Sequence, residues 1–358
     1  MHKNEIEALA LSQLDRYPAL TIRDLVKCLY QAKFGCGHLV EESPDGLAYL
    51  KSEAETAPEV HESVEPIGAH WRRVHLDLLR KSGLSADTLY RIFVLSAAGE
   101  RAPMAEFDRD LDILSRLIRD GVLHFDPAEA DAFLADYRAK GCPATHHSEP
   151  FRASYRPAYR VISAEYALYL PLFARIDALR RRKDRIRIAV DGCAASGKTT
   201  LARMLNAVYG GNVFHMDDFF LRKEQRTPER LAEPGGNVDR ERFHEEVLVP
   251  LIKGIGFSYR VFDCGRMALG GIVNVTPQPF NVTEGAYSLH PELRGAYDMG
   301  VFLRVSPQEQ SRRIRARNGE SMLRRFRDEW IPMEETYFAA ASVEDACEIC
   351  FDERGEIK

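Results

Sequence analysis

The 358-residue sequence contains no run of about 18 or more apolar residues, which excludes a membrane-spanning helix. Its charges nearly cancel, leaving a formal net charge of −5, so the overall charge does not favour nucleic acid or an acidic membrane as a partner. Internal repeats and low-complexity tracts are also lacking. The remaining composition, 45% hydrophobic and 29% charged, is typical of a globular protein.

Cysteine is scarce, and the seven cysteines show no paired pattern, which favours a reducing compartment. Cys347 and Cys350 have C-x-x-C spacing, but no second pair accompanies them, and we interpret them as part of a final strand over 346–351. The first residues are amphipathic and acidic, unlike a signal peptide. We therefore expect a cytoplasmic protein. Its oligomeric state is left open, with a homo-oligomer among the alternatives.

The length exceeds what a single hydrophobic core usually supports, so we predict two domains. Residues 1–182 are expected to form a mostly helical domain of unknown role, and residues 183–358 a second domain. The basic run 180–185 ends the last helix of the first domain, where cations complement the helix dipole. We interpret it as a domain junction rather than a nucleic-acid patch.

Apolar residues in the first domain recur at helical spacing. Thr21 is a candidate N-cap for a helix over 22–33, with Asp24 at its third position, and Ser85 caps another. The predicted helices cover 6–14, 22–33, 70–82, 86–98, 104–120, 127–140 and 163–182.

Two segments of this domain, 30–38 and 142–160, are unusually rich in cysteine, histidine, arginine and tyrosine. A zinc site could in principle use several of these side chains, although their spacing matches no standard zinc motif. Those side chains are Cys36, His38, Cys142, His146 and His147. Arg152 and Arg156 could instead bind an anionic group, or be surface arginines packed against a neighbouring domain. The sequence leaves these alternatives open.

The second domain begins with a motif that carries specific chemistry. A buried strand over 186–190 is followed by Gly192–Thr199, which fits G-x-x-x-x-G-K-[ST], and then by an amphipathic helix. Two glycines let successive backbone N–H groups point at phosphate oxygens, and the helix N-terminus adds positive charge. Lys198 can reach the β- and γ-phosphates, and the Thr199 hydroxyl can bind Mg²⁺. The candidate nucleotide-binding residues are Gly192, Ala195, Ser196, Gly197, Lys198, Thr199 and Thr200.

Acidic residues follow two later strands of this domain. Asp217 and Asp218 end a strand over 213–216, and Glu284 ends a strand over 280–283. Ligands of parallel α/β sheets bind at the carboxyl ends of the strands. A carboxylate there can accept the proton of a substrate hydroxyl or hold Mg²⁺. The Asp pair could alternatively be a simple turn.

The remaining pattern predicts a helix over 239–251, strands over 257–262 and 299–305, and a helical stretch over 307–338. The last stretch is dense in arginine, and like charges on one helix repel without an anionic partner. A lid closing over ATP phosphates would supply that partner, whereas a solvated basic helix is the alternative. A turn is expected at Asn318-Gly319. The arginines are Arg312, Arg313, Arg315, Arg317, Arg324, Arg325 and Arg327.

Over about residues 185–352 the sequence resembles the uridine kinase group of P-loop kinases, which includes phosphoribulokinase and bacterial pantothenate kinase. The resemblance rests on the order and spacing of short motifs along the domain. These are the P-loop, Asp217-Asp218-Phe219-Phe220, Asn237-Val238-Asp239, Val261-Phe262-Asp263 with Arg266, Glu284-Gly285, Pro291-Glu292-Leu293-Arg294, Val301-Phe302-Leu303 and Arg312 to Arg317. It implies a parallel α/β sheet flanked by helices.

The resemblance also implies roles. Asp217 would be the general base, and Asp239 would lie near sugar hydroxyls of the acceptor. Lys198, Arg313 and Arg317 would complete the catalytic set, and Thr199, Asp218 and Glu284 would hold Mg²⁺. The candidate substrate-binding residues are Phe220, Asp239, Arg266 and Tyr287.

These observations predict an ATP- and Mg²⁺-dependent kinase that phosphorylates a hydroxyl of a small metabolite, with nucleosides among the candidates. A regulatory NTPase switch coupled to the helical domain is one alternative. A GTPase is disfavoured because no N-K-x-D motif occurs. The other alternative is a bifunctional enzyme with a second site around His38, His146 and His147, which a pocket uniting these histidines with Arg152 and Arg156 would support.

Overall fold

The computed structural model describes residues 1–36, 43–98 and 102–358, so His38 lies outside the described residues. The chain divides into two units, Met1–Asp177 and Ala178–Lys358. Each unit encloses its own cluster of buried apolar side chains. Within the described residues, no helix is both long enough and apolar enough to cross a bilayer.

Helices dominate the N-terminal half, as the sequence predicts. The described residues of this half contain α1 (Lys3–Arg16), α2 (Ile22–Phe34), α3 (Pro44–Thr56), α4 (Leu78–Ser82), α5 (Ala86–Ala97), α6 (Met104–Arg119), α7 (Pro127–Ala139), α8 (Glu149–Tyr155), α9 (Ala164–Leu168) and α10 (Leu170–Arg180).

Local signals at the helix starts are confirmed. Thr21 begins α2 with a capping box, in which the Asp24 carboxylate accepts the backbone N–H of Thr21 at 3.0 Å. The Ser85 hydroxyl caps α5 by accepting the N–H of Thr88 at 3.0 Å. In α6 the buried residues Phe107, Leu111 and Leu114 recur at helical spacing, which places this face of the helix in the core.

The predicted helix over 70–82 is wrong in its first half. Its residues instead form the central strand of a three-stranded antiparallel sheet, β2 (Trp71–His75), between β1 (Val64–Ile67) and β3 (Tyr159–Ser163). The strand buries a charged side chain, Arg73, which hides the alternation that would have marked it. Pairing with the preceding strand β1 and with the distant strand β3 therefore overrides the local helical pattern.

The second unit contains a mostly parallel sheet with flanking helices, which confirms the predicted α/β class. The six-stranded sheet has the order β11-β10-β9-β4-β8-β5, and only β11 runs antiparallel to its neighbour. A separate antiparallel hairpin, β6–β7, was only half predicted. The strands are β4 (Ile186–Gly192), β5 (Asn212–His215), β6 (Phe257–Asp263), β7 (Ala268–Val275), β8 (Phe280–Glu284), β9 (Met299–Leu303), β10 (Ile349–Asp352) and β11 (Gly355–Glu356).

The helices of this unit include two π-helical segments, His244–Leu248 and Phe326–Trp330. The first lies between α13 and α14, so the predicted helix over 239–251 is one continuous helical stretch. The α-helices are α11 (Lys198–Tyr209), α12 (Pro228–Ala232), α13 (Arg240–Phe243), α14 (Val249–Lys253), α15 (Pro307–Arg325), α16 (Ile331–Ala341) and α17 (Val343–Ala346). Three short 3₁₀ segments lie at Met216–Phe219, Lys223–Gln225 and Arg294–Ala296.

Strand β4 lies in the middle of the sheet, between β8 and β9. All five residues of β8 and of β9 are buried, as expected for parallel strands that are covered on both faces. The carboxyl ends of β4, β5 and β8 lie side by side, because Glu284 pairs in register with Val190 on one side and with His215 on the other. This edge of the sheet brings the predicted acids next to the P-loop.

Candidate active site

The loop between β4 and α11 has a backbone that only certain residues tolerate. Ala195 and Gly197 have positive φ angles of 58° and 108°. Gly192 also has a positive φ, and a Cβ atom there would lie 2.1 Å from the carbonyl oxygen of Leu303 on β9. The glycines of the motif are therefore required for two reasons, close approach at Gly192 and backbone conformation at Gly197.

Two polar side chains of the loop, Lys198 and Ser196, differ in their hydrogen bonding. The Lys198 ammonium donates to the carbonyl oxygens of Gly192 and Cys193, each at 2.8 Å. The hydroxyl of Ser196 is buried and has no hydrogen-bond partner among the described residues. Because a buried polar group without a partner is costly, Ser196 fits a loop that receives an oxygen-rich ligand.

The Thr199 hydroxyl donates to the Glu284 carboxylate at 3.1 Å, so these two predicted Mg²⁺ ligands are brought together. Nδ1 of His215 lies 2.6 Å from the same carboxylate oxygen. This hydrogen bond to Glu284 is the main reason that the pKa of His215 is raised. Sequence reasoning missed His215, although its place at the end of β5, just before Asp217, was an available signal.

Asp217 and Asp218 lie in the 3₁₀ turn Met216–Phe219 that follows β5. The pKa of each carboxyl is raised, mainly by burial, and for Asp217 the negative charge of Glu284 is the second cause. Asp217 is nevertheless exposed to solvent. Asp218 accepts a hydrogen bond from the Tyr259 hydroxyl at 3.3 Å, whereas no described residue hydrogen-bonds the Asp217 carboxyl.

A buried acid that the sequence analysis missed hydrogen-bonds to the backbone at the start of the loop. Asp191, the penultimate residue of β4, accepts hydrogen bonds from the N–H of Gly192 at 2.7 Å and of Leu289 at 2.9 Å. The Tyr337 hydroxyl donates to it at 2.9 Å. Burial raises the pKa of this carboxyl, and three donors compensate for its desolvation.

Two further residues that the sequence analysis missed hydrogen-bond to the backbone N–H and C=O groups of Ala194. The Glu334 carboxylate on α16 accepts the N–H of Ala194 at 2.8 Å, and the side-chain amide of Gln310 on α15 donates to its carbonyl oxygen at 3.0 Å. Burial raises the pKa of Glu334 to about 7. No sequence signal marks these residues, since both contacts join positions more than a hundred residues apart.

The arginine-rich helix is only partly turned toward the loop. The Arg313 guanidinium donates to the carbonyl oxygens of Ala195 and Ser196 at 3.2 and 3.3 Å. Arg317 contacts the side chain of its neighbour Asn318, and Gly319 breaks the helix with a φ of 81°, which confirms the predicted turn. Several of the other arginines pair with acids of the same segment. These pairs are Arg312–Glu309, Arg315–Glu320 and Arg325–Glu329.

The four predicted substrate-binding residues occupy different environments. Asp239 is buried, caps α13 through the N–H of Arg242 and accepts a hydrogen bond from Gln225 at 2.8 Å. Phe220 is half-buried, and Tyr287 is almost fully buried against Tyr337. Arg266 is exposed in the turn of the β6–β7 hairpin.

The histidine-containing segment of the first unit lies at a cavity. His146, His147 and Arg152 line it, whereas Arg156 is not among the lining residues. The thiol of Cys36 donates to the carbonyl oxygen of Val161, and His147 contacts Asp24. Within the part of the chain that the structure describes, no group of three or more His, Cys, Asp or Glu side chains could hold a metal ion.

Solved structures that are similar to about half of this chain include two proteins described as kinases. A possible uridine kinase from Bacillus stearothermophilus is 22% identical, with a TM-score of 0.38, over 51% of this chain and 99% of that chain. A shikimate kinase from Bacteroides thetaiotaomicron is 18% identical, with a TM-score of 0.24, over 47% of this chain and 86% of that chain. TT1252 from Thermus thermophilus is 20% identical, with a TM-score of 0.27, over 48% of this chain and 91% of that chain.

No protein-family model matches the chain, and no curated protein matches it. The structural likenesses have TM-scores below 0.5. The chemistry of the site therefore follows from its own residues.

Proposed function

We propose that the second unit transfers a phosphoryl group from ATP to a hydroxyl of a small metabolite. The observation that carries the proposal is the 3.1 Å contact between the Thr199 hydroxyl of the P-loop and the Glu284 carboxylate at the end of β8. A hydroxyl and a carboxylate at this place are the oxygen donors that Mg²⁺ takes in nucleotide sites. The nearby Asp217 adds a base.

The P-loop would bind the phosphates of ATP through backbone N–H groups and Lys198. The conformation at Ala195 and Gly197 and the unpartnered Ser196 hydroxyl fit this role, and Thr200 follows at the start of α11. Binding would require Lys198 to exchange its two carbonyl contacts for phosphate oxygens, which are stronger, charge-assisted partners.

The donor set around the loop fits Mg²⁺. Thr199 and Glu284 would hold it directly or through water, and Asp218 lies close enough to Glu284 for their charges to interact. When bound, Mg²⁺ supplies positive charge that neutralises phosphate oxygens. His215 would keep the Glu284 carboxylate in position through their 2.6 Å contact.

Asp217 is the better candidate for the general base. Its carboxyl is accessible and not hydrogen-bonded within the described residues, whereas Asp218 is engaged by Tyr259. A raised pKa makes the Asp217 carboxylate a stronger proton acceptor than that of an ordinary aspartate. The acceptor hydroxyl would lose its proton to this carboxylate as it attacks the γ-phosphate.

Arg313 and Arg317 would stabilise charge on the transferred group, and Arg313 already contacts the P-loop. Asp239, Phe220, Arg266 and Tyr287 would form the acceptor side. One carboxylate oxygen of Asp239 accepts from the backbone of α13 and the other from Gln225, and each oxygen can accept a further hydrogen bond from an acceptor hydroxyl. Nucleosides are one candidate class of acceptor, and an ATP-consumption assay with a panel of acceptors identifies the class.

The test measures ATP consumption by the full chain with nucleosides, sugars and pantothenate-like alcohols, using the wild type and the Asp217→Asn and Asp218→Asn variants. We expect one compound to stimulate turnover and Asp217→Asn to lower kcat by at least about 10²-fold, the contribution typical of a positioned base. Asp328→Asn, an exposed aspartate on the helical stretch after β9, is the control and should retain wild-type turnover.

A regulatory NTPase gives a different result. In that case no compound raises ATP loss above the basal rate, and Asp217→Asn behaves as the wild type does. That outcome would overturn the kinase proposal.

A further inference from the structure

A cavity of about 490 Å³ lies within the first unit, and its volume is in the range of small-molecule sites. Its walls come from α2, α3, α5, the segment before and including α8, and β3. All of these residues lie between positions 27 and 161, so none of them belongs to the P-loop. The lining includes Lys27, Tyr49, Glu53, Phe93, Arg152 and Arg160.

The charges around the cavity are mostly positive. Among the described residues, Lys27, Arg152 and Arg160 line it together with a single carboxylate, Glu53. Arg160 forms an ion pair with Glu53 at 2.7 Å. Within the described part of the chain, Arg152 pairs with the exposed Glu149 alone, at 3.2 Å, so its guanidinium retains free donors for a ligand.

Lys27 lacks a counter-ion among the described residues. Its ammonium donates to the carbonyl oxygen of Thr145 at 2.8 Å, and no described carboxylate lies within ion-pair distance. Burial, followed by the positive charge of Arg73, lowers the pKa of Lys27 to about 8, and the Asp24 carboxylate acts in the opposite direction without forming an ion pair with it. Burial of an ammonium group that has no paired carboxylate is costly, and an anion in the cavity would reduce that cost.

The polar side chains near Lys27 form a hydrogen-bond network. Nδ1 of His147 lies 2.8 Å from the Asp24 carboxylate, and Nε2 lies 2.6 Å from the Tyr159 hydroxyl. Gln31 donates to the Tyr159 oxygen at 3.3 Å and accepts from Arg73 at 2.9 and 3.0 Å. Burial lowers the pKa of His147 to about 4, and a neutral ring can donate through Nδ1 to Asp24 while Nε2 accepts from Tyr159.

The opposite wall is aromatic. Tyr49 and Phe93 line the cavity, and the Arg160 guanidinium lies 5.8 Å from the centroid of each ring. Tyr49 is 67% exposed, an unusual surface for a large ring in a folded domain. Apolar walls with a few fixed polar groups are the common composition of a small-molecule site.

We propose that this cavity is a second binding site, which takes a small molecule bearing a phosphate or carboxylate group. Lys27 and Arg152 hold the anionic group, and Tyr49 and Phe93 contact the less polar part of the ligand. The proposal does not depend on phosphoryl transfer by the second unit, since none of its residues belongs to that unit.

The test uses pyridoxal 5′-phosphate as an anionic probe of the full chain. The neutral Lys27 amine condenses with the probe's aldehyde and releases water, and borohydride then reduces the imine to a stable amine. Peptide mass spectrometry reads the label at Lys27 separately from that at Lys198. The reaction is repeated with increasing inorganic phosphate and, in a second arm, increasing succinate, which distinguishes phosphate from carboxylate ligands.

We expect saturable protection of Lys27 by at least one of the two anions, while the exposed Lys140 is not protected. Arg152→Ala should weaken the protection by about tenfold, the effect of losing one charge-assisted contact. Arg156→Ala removes an exposed arginine of the same segment that does not line the cavity, and should leave protection unchanged. Unprotected labelling of Lys27, or equal protection in the two arginine variants, would overturn the proposal.

Discussion

The Glu334 carboxylate accepts the backbone N–H of Ala194 at 2.8 Å, across 140 positions of sequence. Ala194 belongs to the loop that is expected to bind phosphate, so a carboxyl group lies directly against a phosphate-binding backbone. Burial is the largest cause of its raised pKa, and the charge of Lys198 acts in the opposite direction. Because burial raises the pKa of this carboxyl group, we expect the stability of the second unit to depend on pH.

We predict that Glu334→Gln alters the pH dependence of unfolding. The pKa of this carboxyl rises from an ordinary 4.5 to about 7 in the folded chain. Between these values the folded chain binds more protons than the unfolded chain, so the free energy of unfolding falls as pH rises through this window. Each unit of pKa difference corresponds to about 1.4 kcal/mol, and Glu334→Gln removes this loss.

The measurement is urea unfolding between pH 4.5 and 8, followed by the fluorescence of Trp330 in a Trp71→Phe background. The two tryptophans lie in different units, so this probe reports the second unit alone. Glu229→Gln, at an exposed position of the same unit, is the control and should keep the wild-type slope. Parallel slopes for Glu334→Gln and wild type would contradict the prediction.

The two P-loop glycines should respond differently to alanine. Gly192→Ala places a Cβ atom 2.1 Å from the Leu303 carbonyl oxygen, so strands β4 and β9 must separate and the second unit should lose most of its stability. The Cβ atom of Gly197→Ala meets no atom within 4 Å. Its cost comes from the strained φ of 108° and should lower the free energy of unfolding by about 1–3 kcal/mol.

Both glycine variants are measured by the same Trp330 unfolding assay. Gly271→Ala is the matched control, because nothing lies within 4 Å of its added Cβ and its φ is not positive. It should change the free energy of unfolding by less than about 0.5 kcal/mol. An equal loss for Gly192→Ala and Gly197→Ala would show that conformation, rather than crowding by Leu303, limits both positions.

Arg313 and Arg312 offer a comparison between adjacent arginines. Both pair with Glu309, but only Arg313 also reaches the P-loop carbonyl oxygens. If the second unit is a kinase, Arg313→Ala should lower kcat by about 10–10²-fold, and Arg312→Ala should have little effect. Steady-state kinetics with the acceptor that the ATP-consumption assay identifies checks this. Equal kcat values in the two variants would show that the helix is a solvated basic helix rather than a lid.

The first unit contains a buried ion pair whose loss should be costly. The guanidinium of Arg73 and the carboxylate of Glu65 lie 3.0 Å apart, and each side chain is 1% exposed. Glu65→Gln leaves the Arg73 charge without its carboxylate and should reduce the free energy of unfolding by about 3–5 kcal/mol. The fluorescence of Trp71 in a Trp330→Phe background follows this unit.

Glu62→Gln is the control for that experiment, because Glu62 pairs with Arg16 at the exposed surface of the same unit. Exposed pairs contribute about 0–1 kcal/mol. If Glu65→Gln loses no more than Glu62→Gln does, then Gln13, Gln31 and the Tyr159 ring compensate for the missing carboxylate.

The sequence by itself determined the P-loop and the capped helices. Gly192, Gly197, Lys198 and Thr199 act through backbone conformation and chemistry that lie within a few residues. Thr21 and Ser85 begin their helices through bonds to positions three residues away. The acids after β5 and β8 were also predictable, because parallel strands of one sheet end at a common edge.

Only the tertiary structure decided the rest. The strand at Trp71–His75 forms because β1 and β3 pair with it, against its local helical pattern. The contacts of Glu334 and Gln310 with Ala194, and the meeting of Lys27 with Arg152 at one cavity, join positions more than a hundred residues apart. Such contacts leave no periodic trace in the sequence, since each depends on how separate helices and strands pack.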